Sequence, residues 1–270
     1  MPPELHLLKY FARHFLTATR KGHGVHSPFA YQLCEEVFYN KHLYYDFEKL
    51  NKLRKQLLNY RGPNDVISVE DFGAGSRTMK EPSRKISQIA RTGISGRRQS
   101  EMLYRLCHFL NCRVIVELGT SLGVNALYLA QSSKSATIYT LEGSGSLVEF
   151  AKNISRNNRV ENIEFLKGKF DNTLPALLEK IKCFDLLYID GDHTYESTIR
   201  YFSLALKHIH PGSVIVLDDI YWSSGMTRAW NEIKNSPHVS MSIDTFYSGI
   251  IFFRNEVKHP QHFRMWLPRN

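Results

Sequence analysis

The sequence predicts an α/β protein built on a doubly wound, seven-stranded sheet, mostly parallel with an antiparallel last strand, and preceded by a helical N-terminal layer. Three observations predict it. From about residue 99, short β-branched runs alternate with stretches of helical apolar period, the pattern of strands joined by crossover helices. The last two runs are joined by too few residues for a crossover and must run antiparallel. Residues 1–98 show no such alternation.

Within 1–98, ELHLLKYFARHFL (4–16) has the spacing of an amphipathic helix, KGHGVHSPFAYQL (21–33) is rich in turn formers, and YYDFEKLNKLRKQLLNY (44–60) reads as a longer basic helix. With no internal repeat and no low-complexity linker, 1–98 is expected to form a lid or accessory region on the domain at 99–270. An N-terminal amphipathic helix can lie on a membrane, but packing against its own domain is the commoner fate. The sheet domain opens with a helix over SEMLYRLCHFLN (100–111), the β-branched run RVIVE (113–117), a glycine loop and a helix over VNALYLAQ (124–131). Strands follow at ATIYTLE (136–142), IEFLKG (163–168) and FDLLYID (184–190), separated by helices at LVEFAKNISRNN (147–158) and LPALLEKI (174–181). A helix over ESTIRYFSLALKHI (196–209) leads to the strand SVIVLDD (213–219), and one near TRAWNEIK (227–234) leads to the closing strands VSMSIDTF (239–246) and SGIIFFR (248–254).

A chain of 270 residues, 43% hydrophobic and 23% charged, can bury a full core. Its longest apolar runs, such as VIVLDDI (214–220), fall well short of the ~20 residues of a membrane span, and the N-terminus lacks the apolar core of a signal peptide. A cytoplasmic protein is the expectation. Cys34, Cys107, Cys112 and Cys183 have neither C-x-x-C spacing nor a zinc-finger histidine partner, so reduced thiols are expected. The net charge of +9 is unevenly placed, with 18 Lys/Arg against 10 Asp/Glu in residues 1–110. The basic residues are scattered, which favours a solvated face over a nucleic-acid surface; oligomeric state is left open, a homodimer being one option.

Two stretches end a buried run in an acid and break into glycines: VEDFGAGSRT (69–78) and VELGTSLGVN (116–125). Glycines let a backbone approach a ligand, and a following helix N-terminus offers free N–H groups. A nucleoside site also needs an acid at the end of the next strand, some 20 residues on, to bind ribose hydroxyls. Glu142, followed by Gly143, lies 19 residues after Gly123, whereas the same step from Gly75 reaches Ile94 in a segment with no strand and no carboxylate. The second loop is therefore the expected cofactor site; the first, with Asp71, reads as a loop or hairpin of the accessory layer. Thr120, Ser121 and Leu122 fill the space between Gly119 and Gly123, where a dinucleotide fingerprint keeps room for a pyrophosphate.

E-L-G-T-S-L-G resembles motif I of the class I S-adenosylmethionine-dependent methyltransferases, over about 99–270. The resemblance implies a Rossmann-like sheet and S-adenosyl-L-methionine as cofactor. It makes Glu117 and the backbone at Gly119, Ser121 and Gly123 neighbours of the methionine moiety and gives the ribose diol to Glu142 beside Gly143. Asp171 and Phe170, in GKFDNT, fall where this fold contacts the adenine; buried packing is an equal alternative for Phe170.

YIDGDHTYE (188–196) and VLDDIYW (216–222) close the fourth and fifth strands, whose C-terminal ends face the ligand crevice of an open parallel sheet. Asp190, Asp218 and Asp219 would converge there, and such a cluster calls for a neutralising cation, with Mg, Ca or Mn suited to oxygen ligands. The same residues resemble the divalent-metal-dependent small-molecule O-methyltransferases. That likeness assigns Asp190, Asp218 and Asp219 to the metal and counts Asp190 also among the cofactor neighbours and catalytic groups. The Asp-Asp pair departs from the Asp-Asn of the catechol enzymes, and His193 stands where those enzymes often carry a lysine base. Histidine can remove a hydroxyl proton near neutral pH; the alternative is that D-G-D-H-T-Y-E merely caps a helix through Asp192 or Thr194.

His23 and His26 read as turn residues, in a segment HGVHSPF that resembles the N-terminus of a bacterial branch of this family. Arg97 and Arg98 are open to the cofactor carboxylate, an acidic substrate or solvent. The expected function is methylation of a small-molecule hydroxyl with metal assistance. An RNA ribose methyltransferase and a non-catalytic cofactor-binding protein stay open, although DGDH stands where base amino-methylating enzymes carry [DNS]-P-P-[YFW].

Overall fold

The computed structural model describes residues 3–62, 65–70 and 82–267. The helices are α1 (Pro3–Thr17), α2 (Pro28–Leu33), α3 (Tyr45–Leu58), α4 (Ile86–Thr92), α5 (Arg97–Phe109), α6 (Val124–Ser132), α7 (Gly145–Asn157), α8 (Phe170–Ile181), α9 (Tyr195–Ala205) and α10 (Ser224–Lys234). The strands are β1 (Val66–Ser68), β2 (Ser83–Lys85), β3 (Val114–Leu118), β4 (Thr137–Glu142), β5 (Ile163–Lys167), β6 (Leu186–Ile189), β7 (Val214–Asp218), β8 (Met241–Asp244), β9 (Ser248–Phe252) and β10 (Gln261–Arg264).

Strands β3 to β10 form one mostly parallel sheet, in the order β10-β8-β9-β7-β6-β3-β4-β5. Among the described residues the sheet has eight strands, not the seven expected. The extra one is β10, which pairs parallel to β8, and its sequence QHFR carries no β-branched residue and no apolar alternation. An edge strand with one neighbour takes its conformation from the ladder, and the sequence signal is correspondingly weak. The antiparallel member is β9, paired with β7 on one side and β8 on the other. Aspartate and glycines of the first glycine loop, 71–76, lie outside the described residues; the strands that flank it, β1 and β2, pair antiparallel.

The chain divides into two compact units, Lys41–Glu179 and Met1–Asn40 with Lys180–Asn270. In the first, β3, β4 and β5 run parallel in continuous register. Their buried run Ile115, Val116, Leu118, Ile138 and Leu141 reads as apolar on both faces because α5, α6 and α7 flank the sheet. Helix α3 packs Phe47 edge-on to Tyr104 at 4.9 Å, with the Arg105 guanidinium over the same ring. Beneath it lies a buried polar network: Arg54 donates to Ser95 O (2.7 Å) and Ser100 Oγ (3.2 Å), and the Tyr128 hydroxyl donates to Asn51 Oδ1 (2.9 Å).

In the second unit, β6 and β7 run parallel at the core, flanked by α9 and α10. Trp230 of α10 is fully buried against Gly249 of β9, where a Cβ would fall 2.4 Å from a ring carbon, so only glycine fits. Helix α1 packs on this unit through an unexpected face. His6 and His14 are buried, His6 Nε2 lies 3.0 Å from Thr227 Oγ1, and His14 sits 3.3 Å from Asp244 Oδ1 and 3.2 Å from Met265 O. Tyr10 stacks on Tyr221 at 4.8 Å.

Candidate functional site

Strand β3 ends in Glu117 and Leu118, and the loop 119–123 turns the chain into α6 through three positive φ values, +103° at Gly119, +48° at Ser121 and +77° at Gly123. Gly123 is also the N-cap of α6, and a Cβ there would lie 2.8 Å from Ala151 Cβ of α7. Glycine is thus required by backbone conformation and by packing together. The loop leans on the end of β4, where Gly119 N and Thr120 N both donate to Leu141 O. The next residue along β4 is Glu142, whose carboxylate accepts from Ser121 N and Ser144 N, each at 3.0 Å. The glycine loop and the strand-ending acid therefore meet at one place.

Glu117 is fully buried behind the loop. Its oxygens accept from Asn125 Nδ2 (2.8 Å) and Thr140 Oγ1 (2.6 Å), and the Thr140 hydroxyl is itself 2.6 Å from that of Thr120. Burial pushes its carboxyl up to about 7, against the smaller opposing effect of these two hydrogen bonds. A raised carboxyl stabilises the fold below its unfolded value of about 4.5 and withdraws that contribution as pH rises through about 7. The difference in unfolding free energy between wild type and Glu117→Gln, measured by urea denaturation, is expected to shift in favour of the variant between pH 4.5 and 8, by on the order of 3 kcal/mol. A pH-independent difference would contradict this.

Asn125, in the first turn of α6, presents a second buried group. Its Nδ2 is committed to Glu117, while its Oδ1 has no hydrogen-bond donor among the described residues. An orphaned buried acceptor beside a glycine loop suits a ligand that brings its own N–H, as the ammonium of an amino-acid moiety does. Further along, Phe170 begins α8 and is half-buried, and Asp171 is exposed in its first turn, where a carboxylate complements the helix dipole. Gly143 follows Glu142 in the turn that leads into α7.

The acidic edge belongs to the other unit. The Tyr188 hydroxyl lies 3.0 Å from Asp190 Oδ2 and 3.0 Å from Asp218 Oδ2, and its single proton can serve only one of them. Removal from water, then the charges of Asp218 and Asp219, push the Asp190 carboxyl well above the usual carboxylate range. Asp218 also accepts from Ser248 Oγ at 3.4 Å, and Asp219 takes a left-handed φ of +51° in the turn after β7. Among the described residues, no group of three or more His, Cys, Asp or Glu side chains is gathered to hold a metal ion.

His193 Nε2 lies 3.7 Å from Asp190 Oδ1, and burial lowers its proton affinity below the usual histidine value. The segment does cap the helix, as the alternative reading expects: Thr194 caps α9, its Oγ1 accepting from Ser197 N. Asp192, at φ +51°, instead turns the chain into the helix, and its carbonyl accepts from Ser197 Oγ.

Arg97 pairs with Glu101 at 2.8 Å on α5. The sequence reading missed Asn125, Tyr188, Thr120 and Thr140. Asn125 alone had a signal, a polar residue two positions after Gly123 in an otherwise apolar helix.

Residues 116–220 match a family model described as a methyltransferase domain. A catechol O-methyltransferase from Niastella koreensis is 31% identical over 125 residues, covering 45% of this chain and 56% of that protein. One from Mycobacterium tuberculosis is 28% identical over 142 residues, 52% of this chain and 62% of that protein. The chain thus spans about six-tenths of the length of these curated relatives. The fold recurs in a solved S-adenosylhomocysteine-bound methyltransferase of Podospora anserina, with a TM-score of 0.55 at 16% identity over 80% of this chain and 100% of that one.

Proposed function

We propose that this chain is an S-adenosylmethionine-dependent methyltransferase that modifies a hydroxyl oxygen of a small molecule. The observation that carries the reading is the 3.0 Å hydrogen bond from Ser121 N to the Glu142 carboxylate, which gathers the glycine loop and a sugar-binding acid at one point. When bound, the cofactor supplies a methyl carbon activated by its positively charged sulfur. Gly119 and Gly123 keep the loop thin enough for close approach, Asn125 Oδ1 would accept from the methionine ammonium, and the Glu142 carboxylate would accept from the ribose hydroxyls. Phe170 and Asp171 flank the adenine.

His193, neutral at pH 7 because burial disfavours its charge, takes the proton from the acceptor hydroxyl as the oxygen attacks. Asp190 stands beside it and orients the ring. Names of the catechol-modifying relatives support a small phenolic or related hydroxyl as acceptor. A divalent cation at Asp190, Asp218 and Asp219 is the finer form of the proposal. It is supported by the charges of Asp218 and Asp219 that bear on Asp190, and no step above depends on it. We assign residues 1–98 to an accessory region, 99–270 to the catalytic domain, and the chain to the cytoplasm, in keeping with four cysteines that are free thiols.

The test is methyl transfer from labelled S-adenosylmethionine to a panel of catechols, other phenols and sugars, with and without chelator. Label on a small-molecule oxygen supports the reading, and loss of transfer in chelator supports the cation. Label found only on RNA would overturn the choice of acceptor, and activity unchanged in chelator would remove the cation alone.

A further inference from the structure

Helix α1 is turned the opposite way from an ordinary surface helix. A helix on a globular domain buries its apolar stripe and gives its polar face to water. Here the residues facing inward are His6, Tyr10 and His14, held by Thr227, Tyr221, Asp244 and Met265. Leu5, Leu8 and Leu16 face water, with Leu8 62% and Leu16 80% exposed, and Phe11 and Phe15 are exposed at one edge while their rings also lean on Trp266 and, for Phe11, on Phe246. Spacings of three and four place Leu5, Leu8, Phe11, Ala12 and Phe15 on one stripe, and Leu16, four residues after Ala12, widens it at its C-terminal end. The two buried histidines fix this orientation, because rotating the helix to bury leucines would strip His6 and His14 of their partners.

The stripe has a defined border. Lys9 and Arg13, four residues apart, are exposed along one side of it, and Arg20 and Lys21 are exposed just past its C-terminal end. The Arg20 guanidinium lies over the rings of Phe15 (5.0 Å) and Trp266 (5.9 Å), and Trp266 stands edge-on to Phe15 at 5.2 Å. Glu4 is the one carboxylate on the helix. Leucine and phenylalanine on one face, a tryptophan at its edge and a basic flank make the composition of a helix that lies in a bilayer interface. At 15 residues α1 extends about 22 Å, and no helix among the described residues is long and apolar enough to cross a membrane.

We propose that α1 docks this protein on the surface of an anionic phospholipid bilayer, its apolar stripe entering the boundary between headgroups and acyl chains while Lys9, Arg13, Arg20 and Lys21 engage the negative headgroups. Charge selects this occupant over a second copy of the chain. Two copies joined through the same stripe would bring two basic borders together with a single acid each to offset them, whereas an anionic surface complements all four cations. The inference concerns binding alone and is independent of the methyl-transfer reading.

The test is flotation of the full chain, without cofactor, on vesicles of equal parts phosphatidylglycerol and phosphatidylcholine and on vesicles of phosphatidylcholine alone. The wild type is expected to float with the anionic vesicles, to float roughly tenfold less with the neutral ones, and to be released by high salt. Leu8→Glu with Leu16→Glu should reduce binding at least about tenfold with an unchanged melting temperature, since both side chains are already in water. Lys9→Glu with Arg13→Glu should do the same on anionic vesicles. A wild type that stays with the unbound protein overturns the proposal, as does equal flotation of the leucine double variant. So does a wild-type dimer in sedimentation velocity that the leucine double variant converts to monomer.

Discussion

Replacing His193 by alanine is expected to lower kcat by about 100- to 10,000-fold while leaving the affinity for S-adenosylhomocysteine unchanged. The range is what a positioned general base contributes to removal of a hydroxyl proton. The expectation rests on three features of the turn after β6. Thr194, not His193, caps α9, so the imidazole is not needed to end the loop. Burial lowers its proton affinity, so the ring is neutral at pH 7 and able to accept a proton. Its neighbour Asp190 is held by Tyr188 and is within 3.7 Å. Single-turnover kinetics beside a binding titration separate the two quantities. Equal loss of binding and rate would make His193 a structural residue of the turn, and an unchanged rate would remove it from the chemistry.

The second large effect is expected at Glu142. Glu142→Gln keeps the size of the side chain but removes the charge that, in the proposed reading, strengthens hydrogen bonds from two ribose hydroxyls, each worth about 1.5–3 kcal/mol to a charged acceptor. The KM for S-adenosylmethionine should rise on the order of 100-fold or more, and kcat should change far less, since the ribose is remote from the reacting carbon. Part of the loss passes through the loop: Ser121 N and Ser144 N both lean on this carboxylate, and a glutamine can accept from one while its amide opposes the other. A fall in kcat with an unchanged KM would place Glu142 outside the cofactor contact.

The loop at 119–123 was legible in the sequence because its glycines do work that no other residue can do. Gly123 adopts a positive φ and lies against Ala151, and such a demand shows as a fixed letter in the chain. Glu142 was legible through its distance from that loop, which one crossover helix and one strand determine. The parallel strands were visible because sheets covered on both faces need β-branched runs, as in VIVLD of β7, buried along its whole length.

Strand β10 was hidden because its conformation is set by β8, its one neighbour in the ladder, rather than by its own residues. The orientation of α1 was hidden for a related reason. Periodicity finds the apolar stripe of ELHLLKYFARHFL but does not say which way it faces, and here buried polar contacts 221 and 251 residues away in sequence decide it. The Tyr188 hydroxyl between two aspartates and the orphaned oxygen of Asn125 likewise exist only as tertiary contacts. Spacing along a strand can bring three aspartates to one edge of a sheet, but it cannot orient their oxygens around an ion.

The most direct measurement is a calorimetric titration of the wild-type chain with S-adenosylhomocysteine. The expected result is saturable heat with one molecule bound per chain. Absence of heat, or binding that Gly123→Val leaves untouched, would contradict the assignment of the loop at 119–123 as the cofactor site and with it the proposed chemistry.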